Sequence, residues 1–347
     1  MAKAIYLSAC AAHVGKSMLA VGLLAHLKSK GKRVGYFRPF TRATSKDDVD
    51  EDAVVAANVL GSKTPTRSAL SVHQNMFFET LEAVGRDEVL ARIKAAYDEI
   101  ASDLDSVIVE GNRLTHQFYS FDLCDAEIAR ALGADVVLVN SCTSDVSIDD
   151  LLVLVDLVRS KGASLRGVVF TDLTKDMENR VNGVFKPFLE KRGLAVLGVV
   201  PRTPALAAPT VAEVHEAIGG EVLVRGSEEK WGGLVEGFII GAMNFASALR
   251  YLRRGLNKAV ITGGDRSDIL LAALDASTSL LVCTGNLRPT TQVLAGARER
   301  GVPVILVASD TFTTASRLKG IVPRIQVDEK EECARIVEEY LDLPQLI

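Results

Sequence analysis

The sequence has no apolar run close to the ~20 residues that a membrane-spanning helix needs. It also lacks an excess of basic residues, since its 347 residues carry a formal net charge of −4. Without such an excess, nothing points to a nucleic acid or an anionic lipid surface. We therefore expect neither nucleic acid nor a membrane among the partners. With 48% hydrophobic and 24% charged residues, the chain is expected to be globular.

Cysteine and histidine are sparse. The five cysteines form no C-x-x-C pair and the five histidines are scattered, which argues against a disulfide framework and a His/Cys metal site. We expect mostly buried thiols in a reducing compartment. Leu7–Cys10 has the form of a lipoprotein cleavage site, but the apolar run before it, residues 4–9, is shorter than the roughly 7–15 residues of a secretory signal. A cytoplasmic location is therefore expected.

Apolar strand-like runs alternate with helical patterns in the first 200 residues. The runs are AIYLSA (4–9), RVGYF (33–37), SVIVEG (106–111), DVVLVN (135–140), RGVVF (166–170) and AVLGVVP (195–201). Helices are predicted over 15–31, 87–103, 148–162 and 176–192. Continuously apolar strands joined by helical crossovers predict an α/β fold, with a parallel sheet covered by helices on both faces.

A second α/β series follows. Its predicted strands are KAVITGGD (258–265), SLLVCTG (279–285), VPVILVAS (302–309) and RIQVD (324–328). The stretch around 216–235, which contains glycine pairs, is interpreted as a join between two units. We therefore predict a first domain over 1–214 and a smaller second domain over 215–347.

The stretch SACAAHVGKSM (8–18) follows the first strand and opens the first helix. Gly15-Lys16-Ser17 matches the end of the phosphate loop G-x-x-x-x-G-K-[ST], but the first glycine is replaced by Ala9 or Cys10. A small residue preserves such a loop if its φ is negative there. We expect the segment from Val14 to Met18 to bind phosphate, with Lys16 at the terminal phosphates and the Ser17 hydroxyl on Mg²⁺.

Three further side chains are candidates at the same sheet edge. Glu110 ends a buried strand, where open α/β sheets place their ligands, and is a candidate metal ligand or a solvated acid. Arg38 follows the second strand and is expected either to hold an anion or to lie at the surface. Asp52 ends the acidic run 47–52 and could cap the helix that starts there.

In the second series, ITGGDRSD places two glycines and an acid directly after a strand. Gly263 and Gly264 permit positive φ or a close approach of a ligand or partner backbone. Asp265 and Asp268 could cap the following helix. With Arg266, these residues form a candidate ligand turn.

Together these motifs resemble a known family. The order GKS, GYFRP, DEDAV, VIVEG and GVVPRTPALAAPT resembles dethiobiotin-synthetase-like P-loop domains, and most closely the N-terminal region of long bacterial phosphate acetyltransferases. Residues 263–268, GGDRSD, are similar to the signature of the DRTGG domain. The resemblance covers nearly the whole chain.

The resemblance implies ATP and Mg²⁺ at Lys16 and Ser17, with acids at the positions of Asp52 and Glu110 as metal ligands. The chain departs from dethiobiotin synthetases at Ala9 and Ala11 of the loop, at Arg38 in place of a lysine, and in the stretch after Gly111. Thr171 replaces an asparagine that contacts the base in that family. Dethiobiotin synthesis is therefore not expected. DRTGG-like units resemble dimerisation elements, which implies a homodimer formed through the second domain.

Three functions follow from this pattern and stay open at this point. The first is a nucleotide-binding regulatory protein whose partner is a separate metabolic enzyme, such as a separately encoded acyltransferase. The second is an ATP-dependent ligase or amidase-type enzyme of the dethiobiotin and cobyrinic acid a,c-diamide synthase group. The third is a scaffold with a relic loop. In the family, acetyl transfer resides in a further region after the DRTGG-like unit, so we expect at most slow ATP hydrolysis or ligation, with no catalytic residue assigned.

Overall fold

The computed structural model describes residues 2–41, 50–62, 68–72, 76–203, 206, 208–253, 256–321 and 324–347, with backbone alone at residues 51 and 246. The chain divides into two compact units, residues 1–202 with 325–347 and residues 203–324. This division differs from the predicted boundary at 214/215, because the last 23 residues belong to the first unit.

The first unit is built on a parallel sheet of six strands in the order β2-β5-β1-β6-β7-β8. A separate pair, β3 and β4, is also parallel. The strands are β1 (Lys3–Ala9), β2 (Val34–Phe37), β3 (Phe40–Thr41), β4 (Leu70–Ser71), β5 (Ser106–Glu110), β6 (Asp135–Asn140), β7 (Ser164–Leu173) and β8 (Val196–Pro201). Because β1 lies between β5 and β6, its C-terminal end meets those of both neighbours at one edge.

Helices connect these strands, and the four predicted helices are among them. They are α1 (Lys16–Ser29), α2 (Glu51–Leu60), α3 (Phe78–Val84), α4 (Arg86–Ala101), α5 (Asp125–Leu132), α6 (Val146–Ser160), α7 (Lys175–Arg180) and α8 (Lys186–Glu190). A π-helical turn over Val181–Phe185 divides the predicted helix 176–192 into α7 and α8. Residues 4–9 of β1 are fully buried, so the central strand holds the core of this unit.

The second unit has its own sheet of five strands in the order β10-β11-β12-β13-β9. The strands are β9 (Glu221–Val224), β10 (Gly237–Ile240), β11 (Lys258–Gly263), β12 (Thr278–Thr284) and β13 (Val304–Leu306). The helices are α9 (Val211–Ile218), α10 (Glu228–Trp231), α11 (Phe245–Leu252), α12 (Ser267–Leu274), α13 (Thr291–Arg300) and α14 (Thr311–Lys319). The stretch 216–235 was wrongly interpreted as a join, because β9 pairs antiparallel with β13 inside this sheet.

The C-terminal segment packs on the first unit. It contains α15 (Lys330–Tyr340) and α16 (Leu343–Leu346), and α15 lies against α1. Gly22 makes this approach possible, because a Cβ there would overlap the carbonyl oxygen of Cys333 and the side chain of Val337. The predicted strand RIQVD is wrong, since Val327–Glu329 is a 3₁₀ turn that leads into α15.

Candidate functional site

The loop between β1 and α1 has positive φ at two positions. They are Gly15, with φ +75°, and His13, with φ +62°. Ala9 and Cys10, which stand where the common phosphate loop has its first glycine, do not have positive φ. The missing glycine therefore imposes no left-handed strain at that point. The strain lies at His13, where a non-glycine residue in this region costs about 1–2 kcal/mol.

Neighbouring strands hold this loop in place through hydrogen bonds to its backbone. The Cys10 amide donates to the Val139 carbonyl at 2.9 Å. The Thr171 hydroxyl donates to the Val14 carbonyl at 2.6 Å. Thr171, where the resembling family has an asparagine at the nucleotide base, thus supports the loop. Because one amide and one carbonyl of the loop are paired with the sheet, the loop is held in a fixed conformation.

Lys16 begins α1 and is nearly buried, with 9% of its surface exposed. Its Nζ donates to the backbone oxygen of Asn112 at 2.6 Å. The first turn of α1 contains no acidic residue, so the positive end of the helix is not neutralised by its own sequence. Val14 and Met18 have buried side chains, and any part they take in phosphate binding falls to their backbone. The lysine therefore lies at the N-terminus of α1, where phosphate groups are commonly bound.

Ser17 and Glu110 are in direct contact. The Ser17 hydroxyl donates to Glu110 Oε1 at 3.0 Å, and the Tyr36 hydroxyl donates to Glu110 Oε2 at 2.9 Å. Burial, reinforced by the negative charge of Asp52, raises the pKa of Glu110, while Arg38 and Lys16 oppose that rise. The structure therefore brings two of the three predicted metal ligands together and places Asp52 within electrostatic reach of them.

Arg38 is buried rather than at the surface. Its Nη1 donates to Asp52 Oδ2 at 2.7 Å and to Asp50 Oδ1 at 3.1 Å. The helix cap is Asp50, whose side chain accepts from the Ala53 amide, so the prediction that Asp52 caps α2 is wrong. Residues 47–49 of the acidic run lie outside the described residues. Arg38 thus balances two carboxylates beside Glu110, and its contact with a bound anion stays a prediction.

A buried polar network behind the loop was missed from the sequence. Asp125, at the start of α5, accepts hydrogen bonds from Tyr6 Oη at 3.0 Å, Ser8 Oγ at 2.7 Å and the Asn112 amide at 2.9 Å. Burial raises the pKa of Asp125, and the bond from Ser8 counters part of that rise. An acid in the first turn of a helix is so common that its spacing gave no signal. The network fixes the segment that follows Glu110.

Asn112 has a second distinctive feature. Its Nδ2 is the one buried side-chain nitrogen or oxygen, among the parts of the chain that the structure describes, without a hydrogen-bond partner. Leaving such a donor unpaired costs about 1–3 kcal/mol, so buried amides are normally satisfied. In the sequence, the stretch after Gly111 is distinctive only as a departure from dethiobiotin synthetases.

The candidate turn of the second unit is packed against its own chain. Gly264 is required because a Cβ there would overlap the carbonyl oxygen of Leu287, and neither Gly263 nor Gly264 has positive φ. Arg266 pairs through Nε and Nη2 with Asp268 at 3.0 and 3.1 Å. The predicted capping by Asp265 and Asp268 is wrong, since α12 starts after Arg266 with no side-chain cap among the described residues. Ligand binding at this turn stays a prediction.

Two features of the described residues bear on metals and membranes. No group of three or more His, Cys, Asp or Glu side chains lies together as a metal cage there. Within the same residues, none of the helices is both long and apolar enough to cross a membrane. All five cysteines are unpaired, and all except Cys10 are buried, which confirms the expectation of mostly buried thiols.

A strand, a Gly-Lys-Ser loop and a helix at the edge of a parallel sheet define a P-loop NTPase-like α/β domain. The AAA domain model matches residues 3–210, more than half of the chain, and the DRTGG domain model matches residues 213–321. The chain therefore belongs to the AAA domain family and carries a DRTGG domain after it. The predicted fold class and order of the two domains are confirmed.

Curated relatives agree with the resemblance. The phosphate acetyltransferase of Pseudomonas putida is 28% identical over 345 residues, covering 94% of this chain and 48% of that protein. The phosphate acetyltransferase of a Synechocystis species is 26% identical over 341 residues, with the same coverage of 94% and 48%. The chain thus spans about half the length of these relatives, and its relation to the N-terminal region of phosphate acetyltransferases is confirmed.

Among solved structures, cobyrinic acid a,c-diamide synthase from Mycobacterium smegmatis, with ADP and magnesium bound, is 17% identical to this chain. The match covers 58% of this chain and 88% of that one, with a TM-score of 0.39.

Proposed function

We propose that the first unit binds the phosphate chain of ATP or a related nucleotide at the loop between β1 and α1, together with Mg²⁺. The observation that carries this proposal is the hydrogen bond from Ser17 to Glu110 Oε1 at 3.0 Å. It joins the hydroxyl expected on the metal to a carboxylate from the neighbouring strand, next to Lys16. A hydroxyl and carboxylates beside a phosphate-binding loop suit Mg²⁺, which takes few protein ligands and fills its remaining positions with phosphate and water.

Each residue of this site has a distinct task in the proposal. Lys16 exchanges the Asn112 carbonyl for phosphate oxygens, and the α1 N-terminus adds its amides and dipole. Ser17 and Glu110 hold the metal, with Asp52 adding charge or a second carboxylate. Mg²⁺ bound there neutralises charge on the phosphates. Arg38 keeps Asp52 in position through their 2.7 Å ion pair.

We further propose a regulatory role, related to that of the corresponding half of phosphate acetyltransferases. Nucleotide binding in the first unit is the input. The DRTGG domain forms a homodimer that transmits it, either within this protein or to a separate metabolic enzyme. The similarity over 94% of this chain to about half the length of a curated phosphate acetyltransferase supports a role related to that half.

The test is calorimetric titration with ATP, ADP, GTP and AMP, with and without Mg²⁺, of the wild type and Lys16→Ala. Loss of a charged hydrogen bond costs about 1.5–3 kcal/mol, so we expect binding to weaken by roughly 10- to 100-fold. Lys30→Ala removes the same charge at the exposed far end of α1 and serves as the control. Absence of binding to every nucleotide would contradict the proposal.

A turnover assay separates regulation from ligation. A regulatory site holds ATP with slow or no release of phosphate, whatever small molecules are added. Release of phosphate that starts only when a carboxylic acid or an amine is supplied would replace the regulatory proposal with an ATP-dependent ligase.

A further inference from the structure

Asn112 lies in the loop that follows β5, beside the phosphate-binding loop. Its backbone is fixed on both sides, because its amide donates to Asp125 at 2.9 Å and its carbonyl accepts from Lys16 at 2.6 Å. The side chain is 91% buried by the same packing, and its Nδ2 has no partner among the described residues. A buried amide held rigidly with free hydrogens is a preformed donor for an acceptor that is not part of the chain.

The surroundings determine the charge of that acceptor. The Lys16 ammonium touches the same residue, and the N-terminus of the 14-residue helix α1 begins there. Arg113, the next residue, is exposed and places Nη2 at 3.3 Å from the His13 ring. The Lys16 ammonium and the α1 N-terminus therefore place positive charge beside Asn112. The two nearby acids already accept hydrogen bonds, Glu110 from Ser17 and Tyr36, and Asp125 from Tyr6, Ser8 and the Asn112 amide. Such a set of groups favours an anionic oxygen.

We propose that Asn112 Nδ2 is a ligand-binding donor, which with Lys16 forms a subsite for an anionic oxygen beside the phosphate-binding loop. The inference rests on the proposed nucleotide function for its neighbour, but it names a separate contact. The anionic oxygen belongs either to the terminal phosphoryl group of a nucleoside triphosphate or to a second small oxyanion, such as a carboxylate or inorganic phosphate. Both sources offer the same chemistry to an amide donor.

Two variants test the subsite. Asn112→Ala removes the donor, and Asn112→Asp replaces it with an acceptor of negative charge and nearly the same shape. Asn58→Asp makes the same charge change on the exposed face of α2 and is the control. ATP·Mg and ADP·Mg are titrated calorimetrically into each protein. Inorganic phosphate and acetate are then titrated into the nucleotide-free and the ADP-loaded protein, and the melting temperature is recorded throughout.

If the oxygen belongs to the terminal phosphoryl group, both Asn112 variants lose at least tenfold in affinity for ATP and little for ADP. If it belongs to a second oxyanion, they lose phosphate or acetate binding, and ATP and ADP affinities stay equal to those of the control. In either case Asn112→Ala melts close to the wild type, because the removed Nδ2 had no partner to lose. Asn112→Asp melts lower, because it buries a carboxylate near Asp125. A residue with a merely structural role would lower the melting temperature of Asn112→Ala as well and leave ligand discrimination unchanged.

The outcomes separate this inference from the nucleotide function. Nucleotide binding that depends on Lys16, with ATP, phosphate and acetate all unaffected by both Asn112 variants, would overturn the subsite and leave the function intact. Phosphate or acetate binding that depends on Asn112, in a protein that binds no nucleotide, would support the subsite and overturn the function. Loss of all binding only in variants with lowered melting temperature would overturn the subsite.

Discussion

The Nζ of Lys16 and the backbone oxygen of Asn112 are joined by a 2.6 Å hydrogen bond. The ammonium group is therefore already held beside the loop between β1 and α1. In the proposed function, phosphate binding exchanges this carbonyl acceptor for a phosphate oxygen instead of desolvating a free charge. The segment that offers this carbonyl is itself fixed by Asp125. Lys16 is thus positioned by the loop that follows β5 as well as by its own helix.

The raised pKa of Glu110 predicts that the proposed Mg²⁺ binding depends on pH. Burial and the charge of Asp52 raise this pKa above its ordinary value of 4.5. Since Mg²⁺ binds the ionised carboxylate, we expect the Mg²⁺-dependent gain in nucleotide affinity to increase as pH rises from 4.5 through the raised pKa, with a proton released on binding. Glu110→Gln should remove both the gain and its pH dependence. Calorimetry in buffers of different ionisation enthalpy measures the released proton.

The same shift predicts a stability profile. Because the folded state holds the Glu110 proton more tightly than the unfolded state, this group stabilises the fold below pH 4.5, and the contribution is lost as pH rises through the folded pKa. Urea denaturation at a series of pH values above 4.5 should show that the free energy of unfolding of the wild type falls as pH rises. The same plot for Glu110→Gln should be flatter. Equal slopes in both proteins would contradict the assignment to Glu110.

Thr171 supports the loop, so Thr171→Val should affect both stability and binding. The variant keeps the side-chain volume but leaves the Val14 carbonyl without its 2.6 Å partner. We expect a loss of about 1–3 kcal/mol in the free energy of unfolding and weaker ATP binding. Thr174→Val, at an exposed position three residues later, is the control. Unchanged stability in Thr171→Val would show that the hydroxyl does not hold the loop.

Packing of the C-terminal segment on α1 depends on Gly22. Gly22→Ala introduces a Cβ that overlaps the Cys333 carbonyl, so α15 must move away from α1. Overpacking of this kind costs about 1–3 kcal/mol, which should lower the urea midpoint of the first unit. Gly183→Ala is the matched control, because its Cβ would meet no atom within 4 Å. A midpoint for Gly22→Ala equal to that of the control would contradict the described contact.

The six main strands of the first unit were predictable because strands buried on both faces are continuously apolar. The alternation of polar and apolar residues in 324–328 suits an edge strand, but a capping box between Gln326 and Glu329 forms a 3₁₀ turn that leads into α15. The local sequence does not indicate that α15 packs on α1, which lies about 300 residues earlier in the chain. For the same reason the return of residues 325–347 to the first unit could not be predicted.

The candidate site also contains residues that the sequence predicts and residues that it does not. Lys16, Ser17 and Glu110 could be predicted because each follows or ends a buried strand, and parallel strands bring these ends to one edge. The ion pair of Arg38 with Asp52 and the network around Asp125 could not, because they depend on side-chain directions set by tertiary packing.

The measurement that tests the account most directly is the Mg²⁺ dependence of ATP binding in wild type and Ser17→Ala. Ser29→Ala, at the other end of α1, is the control. We predict that Mg²⁺ strengthens ATP binding to the wild type and the control by at least about tenfold, or roughly 1.4 kcal/mol. The gain should vanish in Ser17→Ala, while its affinity without Mg²⁺ stays near that of the wild type. An equal Mg²⁺ effect in all three proteins, or none in the wild type, would contradict a metal site between Ser17 and Glu110.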